Sequence, residues 1–236
     1  MTKRIFAIGD LHLSFASEKP MDVFGPLWER HDERVAAAWR KAVTEDDLVL
    51  IVGDTSWALK TEEAMPDLEW IRCLPGKKIL IRGNHDLWWQ GIKKLNALWP
   101  GEMLFLQNDS YFAEEGFAIC GSRGWGLPGL EDYGADDEKI LDREIIRLGL
   151  SLDAAVRAGA EEILVAMHFP PALAPSCTSV FTDLFEKYPQ IRQVVYGHLH
   201  GPAAFGKGPR GEYGGILYQL VSLDYLGCTP ALVWPL

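Results

Sequence analysis

Short, continuous runs of apolar residues recur along the chain, each ending at a polar residue or a glycine, and they predict a series of strands. The runs are rich in Ile, Val and Leu and lack the alternation of a half-exposed strand. This pattern is typical of strands that are covered on both faces. The predicted strands are Arg4–Ile8, Leu48–Val52, Lys78–Ile81, Met103–Leu106, Phe117–Cys120, Glu162–Met167, Gln193–Tyr196 and Ile216–Val221.

Segments with helical periodicity lie between these runs. In the first of them Val35, Trp39 and Val43 recur at intervals of four residues and mark one apolar stripe. The predicted helices are Leu27–Val43, Glu62–Cys73, Ile92–Leu98, Glu138–Val156 and Val180–Lys187. Alternating strands and helices predict an α/β architecture. Since no repeat or linker-like stretch divides the chain, we expect a single domain over residues 1–236.

Composition and charge narrow the classes of partner. Hydrophobic residues make up 48% and charged residues 24% of the 236 residues, which is an ordinary globular balance. The net charge of -10 disfavours nucleic acid and anionic membranes, because contacts to phosphate backbones need Lys and Arg. A small phosphorylated substrate is compatible with this negative net charge, since bound divalent cations outweigh distant surface charge.

The lack of a recognisable signal peptide or membrane span, together with the cysteine usage, favours a cytoplasmic protein. The apolar stretch near the N-terminus is short and runs directly into Asp10, whereas a signal peptide needs about 7–15 apolar residues. No run approaches the roughly 18–20 apolar residues of a membrane span. The four cysteines form no C-x-x-C pair, so we expect reduced thiols.

Five of the six histidines lie in short motifs at the ends of predicted strands, beside Asp, Asn or Gly. Ligands of open α/β sheets bind beyond the carboxyl ends of the strands, and imidazoles and carboxylates are common metal ligands. Residues two apart in an extended segment point to the same side, which favours metal-binding pairs in D-x-H and H-x-H. The motifs are Asp10-Leu11-His12, Gly53-Asp54, Gly83-Asn84-His85-Asp86, His168 and Gly197-His198-Leu199-His200.

The third motif offers both a ligand and a catalytic group. Asn84 supplies a neutral amide oxygen, while the adjacent His85 points elsewhere and is free to act on a substrate. Asp86 is expected to accept a hydrogen bond from the His85 imidazole and to hold its orientation. The sixth histidine, His31, lies inside the first predicted helix, and we assign it to the surface.

In this order the motifs resemble those of the calcineurin-like metallophosphoesterase superfamily, which read D-x-H, GD, GNH[DE], H and GH-x-H. The match spans residues 10 to 200. The resemblance implies a four-layer αββα sandwich of two mixed β-sheets around a two-metal site, with His85 near the leaving-group oxygen. It implies a first ion held by Asp10, His12, Asp54 and His200, and a second held by Asn84, His168, His198 and the bridging Asp54.

The chemistry of these residue types agrees with a hydrolase that uses two divalent ions. The donors suit manganese foremost, with iron, zinc, nickel or cobalt as alternatives. Two ions carry +4, and Asp10 and Asp54 supply only -2, which leaves charge for a hydroxide and an anionic substrate. A metal pair activates water in line with phosphorus, and protonation of the departing oxygen by His85 is worth about 10²–10⁴ in rate. We therefore expect hydrolysis of a phosphodiester or a small phosphomonoester by a metal-activated hydroxide.

Differences between these motifs and those of better-known subgroups of the superfamily narrow the class of substrate. The second motif continues as Thr55-Ser56-Trp57 instead of Asp-Arg-Gly, which argues against a Ser/Thr protein phosphatase. The chain keeps His85, where UDP-sugar pyrophosphatases of the superfamily typically carry arginine. It also lacks the length and basic surface of Mre-type nucleases. A protein phosphatase, a nucleotide pyrophosphatase and a non-catalytic scaffold remain as alternatives.

Cations and aromatic residues near the motifs are further candidates. Arg82 matches an arginine that precedes the GNH motif in the phosphatases and is a candidate substrate contact, with a strand-end arginine in solvent as the alternative. Arg123, in the loop Gly121–Trp125, is a second candidate contact to phosphate, with an ordinary loop cation as the alternative. Four tryptophans either line a pocket or belong to the aromatic core, and the core is favoured because Trp is usually buried. They are Trp57, Trp88, Trp89 and Trp125.

Overall fold

The computed structural model describes residues 4–128 and 133–235, in which five α-helices accompany eleven strands. The helices are α1 (His31–Ala42), α2 (Thr61–Arg72), α3 (Ile92–Leu95), α4 (Ala135–Arg157) and α5 (Val180–Phe185). The strands are β1 (Ile5–Ile8), β2 (Leu48–Val52), β3 (Lys77–Ile81), β4 (Met103–Phe105), β5 (Ser110–Glu114), β6 (Phe117–Ser122), β7 (Glu162–Met167), β8 (Ile191–Tyr196), β9 (Gly211–Tyr213), β10 (Ile216–Leu220) and β11 (Ala231–Trp234).

The strands form two mixed sheets. The first has the order β11-β1-β2-β3-β4 and is parallel except for β11, which pairs antiparallel with β1. The second has the order β5-β6-β7-β8-β10-β9, with a parallel interior and antiparallel strands at both edges. In a parallel sheet the carboxyl ends of neighbouring strands lie at the same edge, so the predicted motifs are brought to one side of each sheet.

Three separate apolar clusters explain the continuous hydrophobic runs. Along β2, the side chains of Val49 and Ile51 pack toward α1 and α2, whereas Leu48, Leu50 and Val52 pack between the two sheets. A third cluster joins the second sheet to α4 and α5. Every face of β2 is therefore buried, and the layers are helix, sheet, sheet and helix. The predicted αββα sandwich of two mixed sheets is confirmed.

The structure differs from the sequence prediction at edges and boundaries. Strands β5, β9 and β11 were not predicted, and α1 begins at His31 instead of Leu27. These three strands lie at sheet edges, and all of their residues except Val233 are half-buried or exposed. None of the helices that the structure describes has the length and apolar character needed to cross a membrane.

Candidate metal centre

The strand-end motifs adopt sharply bent backbones. Asp10, His12, Asp54 and His198 have φ angles of 61°, 46°, 49° and 70°, in the left-handed region that non-glycine residues seldom occupy. Hydrogen bonds between two loops hold this conformation, since the backbone N–H groups of Asp10 and His12 donate to the carbonyls of Gly53 and Asp54 at 2.9 Å each. Such conformations persist only where surrounding contacts enforce them, and they concentrate at functional sites.

Two glycines allow the loops to approach one another. A Cβ placed on Gly83 would lie 2.1 Å from both the backbone N and the Oδ1 of Asp54. A Cβ on Gly53 would lie 2.6 Å from Nδ1 of His168. Neither position has room for a side chain. The glycines of the G-D and G-N-H motifs are therefore required by the close packing of Asp54 against its neighbours.

A first group of donors comprises Asp10, His12 and His200, each of which offers one atom within 4.8 Å of the others. Nε2 of His200 lies 3.2 Å from Oδ1 of Asp10, and Nε2 of His12 lies 3.8 Å from Oδ2 of Asp54. Nε2 of His200 is buried, and apart from this approach to Asp10 it has no hydrogen-bond partner among the described residues. A buried, unpaired nitrogen that faces a carboxylate is what a metal ligand presents before its ion is bound.

A second group of donors surrounds the Asn84 amide. Its Oδ1 lies 2.7 Å from Nε2 of His168 and 3.1 Å from Nδ1 of His198. The other ring nitrogen of His168 lies 3.0 Å from the Val52 carbonyl, which fixes the ring and turns Nε2 toward the group. Asp54 Oδ2 lies 3.4 Å from the same Nε2. Oxygen and nitrogen donors from four separate loops thus meet at one place.

Asp54 lies between the two groups. Its Oδ2 is within 4.0 Å of ring nitrogens of His12, His168 and His85. Its Oδ1 accepts a hydrogen bond of 2.8 Å from the backbone N–H of His85, which fixes the carboxylate plane. The side chain is 2% exposed, so solvent does not compete for these contacts. This is the position that a carboxylate shared by two ions requires.

The two buried carboxylates attract positive charge. Burial would lower the pKa of His168, but the carboxylate of Asp54 outweighs it and raises the pKa to about 9. Burial opposes a positive His200 in the same way, and Asp10 nevertheless raises its pKa to about 10. Burial would also raise the pKa of Asp54, yet the His168 imidazole holds it well below its usual range. Both carboxylates are therefore ionised at neutral pH.

The other two imidazoles of the donor groups are neutral. Burial lowers the pKa of His12 to about 4, and burial together with the nearby His168 lowers that of His198 to about 3. Neutral imidazole is the form that binds metal, so His168 and His200 would each release a proton when ions bind. With two carboxylates, one amide and four imidazoles, the donor set fits a pair of divalent ions such as manganese, iron or zinc.

His85 lies at the rim of this centre. Its side chain is 44% exposed, whereas the Asp54 carboxylate 4.0 Å from its Nε2 is buried. The ring packs against Trp57 with the centroids 4.4 Å apart. Partial burial lowers the pKa of His85, which makes its protonated form a stronger acid. His85 is therefore the imidazole of the centre that is most open to a bound substrate.

The prediction that Asp86 accepts a hydrogen bond from the His85 imidazole is wrong. The Asp86 carboxylate is fully buried and turns away from the ring: it accepts hydrogen bonds from backbone N–H groups of Thr55, Ser56 and Gly83 at 2.7–3.2 Å. The indole N–H of Trp88 donates to it at 3.0 Å. Its oxygens are thus used to tie the second motif to the third. Asp86 is a structural clamp beneath the candidate metal centre.

Two tryptophans form one wall of the centre. Trp57 stacks on the His12 ring at 4.8 Å with an interplanar angle of 22°, and Trp28 meets the rings of His12 and His200 edge-on at 5.8 and 5.4 Å. Trp28 falls in the stretch predicted as the start of α1, so its role was missed. Of the other candidate tryptophans, Trp88 and Trp89 are buried in the core and Trp125 packs on Phe169.

The assignment of His31 to the surface is also wrong. Its ring nitrogens lie 3.1 Å from the carbonyl oxygen of Trp28 and 3.0 Å from that of Leu11, between Asp10 and His12. The ring is half-buried and ties the beginning of α1 to the first motif loop. A histidine in a polar helical stretch carries no sequence signal for such a contact, because both partners are backbone atoms.

Arg82 and Arg123 lie together in a small cavity beside α4. An Nη of Arg123 lies 3.3 Å from the buried Glu144 carboxylate, and its guanidinium packs 4.3 Å from the centroid of the Trp125 ring. Arg82 lines the same cavity with Glu144 and Arg147. Within the described residues, neither guanidinium forms a hydrogen bond with a candidate metal ligand. A direct contact of these arginines with substrate stays a prediction.

Asp224 is a contact of the centre that the sequence reasoning did not find. Its Oδ1 lies 3.1 Å from Nδ1 of His200. The residue is 24 positions away along the chain and belongs to no motif. Only the path of the chain after β10 brings it beside the metal centre.

Comparisons with known proteins extend the resemblance. Two curated relatives, the Gene 66 proteins of Mycobacterium phage L5 and Mycobacterium phage D29, are 47% identical over 77 residues and 36% identical over 83 residues. These spans cover 33% and 35% of this chain but only 37% and 40% of the relatives, so well under half of each relative is matched.

Two solved structures share the fold. The phosphopantetheinyl hydrolase PptH from Mycobacterium tuberculosis is 17% identical with a TM-score of 0.58, over 99% of this chain and 96% of that one. The protein TT1561 of Thermus thermophilus is 12% identical with a TM-score of 0.59, over 92% and 88%. A family model described as calcineurin-like phosphoesterase matches residues 3–202. The chain therefore belongs to the calcineurin-like phosphoesterase family.

Proposed function

We propose that this protein is a hydrolase that depends on two divalent metal ions and cleaves a phosphodiester or a small phosphomonoester. The observation that carries the proposal is the position of Asp54, whose buried Oδ2 lies between two groups of metal-type donors. Membership of the calcineurin-like phosphoesterase family supports a phosphoesterase activity. The proposal goes beyond family membership in naming two divalent ions and the kind of phosphoester that is cleaved.

The two groups of donors give the proposed ligand sets. Asp54 belongs to both sets. The first ion would be held by Asp10, His12, Asp54 and His200, and the second by Asp54, Asn84, His168 and His198. Bound there, the two ions would lower the pKa of a water molecule and offset the negative charge that develops on the phosphoryl group.

The protein side chains then supply orientation and a proton. Exposed at the rim, His85 is placed to donate a proton to the departing oxygen, which contributes most when the leaving group is a poor one. The Trp57 ring packs against both His85 and His12, so it restricts the motion of the acid relative to the first donor group. The buried Asp86 carboxylate keeps the loops that carry Asp54 and His85 together.

A chelation experiment tests the proposal. Protein freed of metal with a chelator is assayed on bis-p-nitrophenyl phosphate and on p-nitrophenyl phosphate, before and after addition of Mn²⁺, Fe²⁺, Zn²⁺, Ni²⁺ or Co²⁺. We expect no turnover without metal and restored turnover with Mn²⁺, and loss of that restored activity in Asp54→Asn. Asp47→Asn is the matched control, because Asp47 is equally buried but lies before β2, at the end opposite Asp54.

Two results would contradict the proposal. Undiminished turnover in a verified metal-free preparation would exclude the metal centre. Absence of hydrolysis with every ion, on a panel extended to cyclic nucleotides, dinucleotides and other phosphomonoesters, would favour a non-catalytic scaffold. If there is turnover, the same panel ranks diesters against monoesters and so assigns the substrate class.

A further inference from the structure

Asp224 is a buried carboxylate whose surroundings fix its orientation. The residue is 6% exposed and lies in the turn that follows β10. One oxygen accepts a hydrogen bond of 2.8 Å from the backbone N–H of Gly201, and the other accepts one of 3.1 Å from the N–H of Tyr225. The carboxylate is thus held in one plane by the main chain, next to His200.

This carboxylate determines which nitrogen of His200 faces the metal centre. Nδ1 of the ring lies 3.1 Å from Oδ1 of Asp224, and with a carboxylate as its partner Nδ1 is the hydrogen-bond donor. In the neutral ring, which is the form that binds metal, the lone pair then belongs to Nε2, which lies 3.2 Å from Asp10 Oδ1. A carboxylate behind a ligating imidazole fixes the ring and increases the basicity of the far nitrogen.

The segment that carries Asp224 is anchored at the end of β1, directly before Asp10. The backbone N–H of Gly9, at the end of β1, donates to the Val221 carbonyl at 2.7 Å, and the N–H of Leu223 donates back to the Gly9 carbonyl at 3.0 Å. The Leu223 side chain is fully buried in the core beneath α1 and α2. Movement of Asp224 away from His200 would therefore require this packing to be broken.

We propose that Asp224 is a positioning residue of the metal centre, which fixes His200 so that its Nε2 serves as a ligand of the first ion. The inference rests on the proposed function, because it concerns the same centre. It goes beyond that function in one respect: Asp224 lies outside residues 3–202, the part of the chain that matches the family model. The metal centre thus includes a residue from the segment that follows the matched region.

The positioning role of Asp224 is tested by measuring metal affinity, which does not require that the protein turn over a substrate. Mn²⁺ is titrated calorimetrically into chelator-treated wild-type, Asp224→Ala, Asp224→Asn and Asp47→Asn proteins, and electron paramagnetic resonance reports whether two ions are spin-coupled. In Asp224→Ala we expect an affinity roughly 10–100-fold lower at one of the two sites and within about threefold of wild type at the other. The coupled signal should then appear only at higher Mn²⁺. Asp224→Asn keeps the shape of the side chain and should lose about tenfold at the same site.

Asp47→Asn distinguishes positioning from general destabilisation. Asp47 is also buried and also accepts a backbone N–H, that of Thr44, but it does not touch the centre. Equal losses at both sites, the same loss in Asp47→Asn, or wild-type affinities in both Asp224 variants would overturn the inference. If wild-type protein binds no Mn²⁺, the proposed function itself fails, whereas unaltered binding in the variants refutes only the role of Asp224.

Discussion

Replacement of Gly83 by alanine probes how closely the loops of the metal centre must approach. The added Cβ would lie 2.1 Å from the backbone N and Oδ1 of Asp54 and 2.8 Å from its Cγ, whereas real Cβ atoms essentially never come within 3.0 Å of such neighbours. The carboxylate cannot easily turn away, because its Oδ1 also accepts the His85 N–H at 2.8 Å. The clash must therefore displace Asp54, the carboxylate proposed to bridge the ions.

The size of that displacement sets the expected effect. To restore a separation of 3.0 Å, the Gly83 and Asp54 loops must move apart by about 0.9 Å. A misplacement of about 1 Å costs on the order of 10²-fold in rate, and an added methyl group in a packed interior costs about 1–3 kcal/mol. We expect Gly83→Ala to lower kcat/KM about 100-fold, to reduce the free energy of unfolding by about 2 kcal/mol, and to weaken Mn²⁺ binding.

The assay is hydrolysis of bis-p-nitrophenyl phosphate at saturating Mn²⁺, with stability measured by urea denaturation. Gly149→Ala is the matched control: a Cβ on this α4 residue meets no atom within 4 Å, so the helix should gain about 0.5–1 kcal/mol and activity should not change. Wild-type kcat/KM together with wild-type Mn²⁺ affinity in Gly83→Ala would refute the close approach of the two loops.

Substitutions at three other residues test individual side chains. His85→Ala should retain both ions while slowing a diester with an alkyl leaving group by about 10²–10⁴ and a p-nitrophenyl ester far less; equal slowing of both esters would contradict the acid role. Asp86→Asn places an amide against four N–H donors and should lower the free energy of unfolding in urea by about 3 kcal/mol, with unchanged dependence on the leaving group; a loss below about 0.5 kcal/mol would contradict the clamp. Trp57→Ala should lower Mn²⁺ affinity and stability, and Trp57→Phe should recover most of both, since the ring supports His12; an alanine variant that binds Mn²⁺ like wild type would count against that support.

Much of the fold could be predicted from the pattern of apolar residues alone. Strand β2 shows why: its side chains alternate between two apolar clusters, so the sequence is apolar at every position. Strand β9 was missed for the opposite reason, because all three of its residues are exposed. Strand β11 is apolar throughout, but it is a strand only through its antiparallel pairing with β1, which is distant in sequence. An edge strand depends on its partner, which local sequence does not specify.

The convergence of the seven candidate ligands could be predicted because each lies in a short motif at the end of a strand, and strand ends of this fold converge. The role of Asp86 could not. Although it is adjacent to His85 in sequence, the loop turns its carboxylate toward the backbone of Thr55 and Ser56. Contacts between residues that are distant in sequence also leave no local signal. Trp28 belongs to a helical pattern and Asp224 to no motif, yet both contact His200.

We propose that donors from separate strand ends hold two cations on either side of Asp54. Anomalous diffraction at the manganese edge, from crystals grown with Mn²⁺, measures this directly. We expect two anomalous peaks, one on each side of the Asp54 carboxylate, with the first adjacent to Asp10 and His200 and the second adjacent to Asn84 and His168. A single peak remote from Asp54, or no peak at saturating Mn²⁺, would refute the two-metal centre.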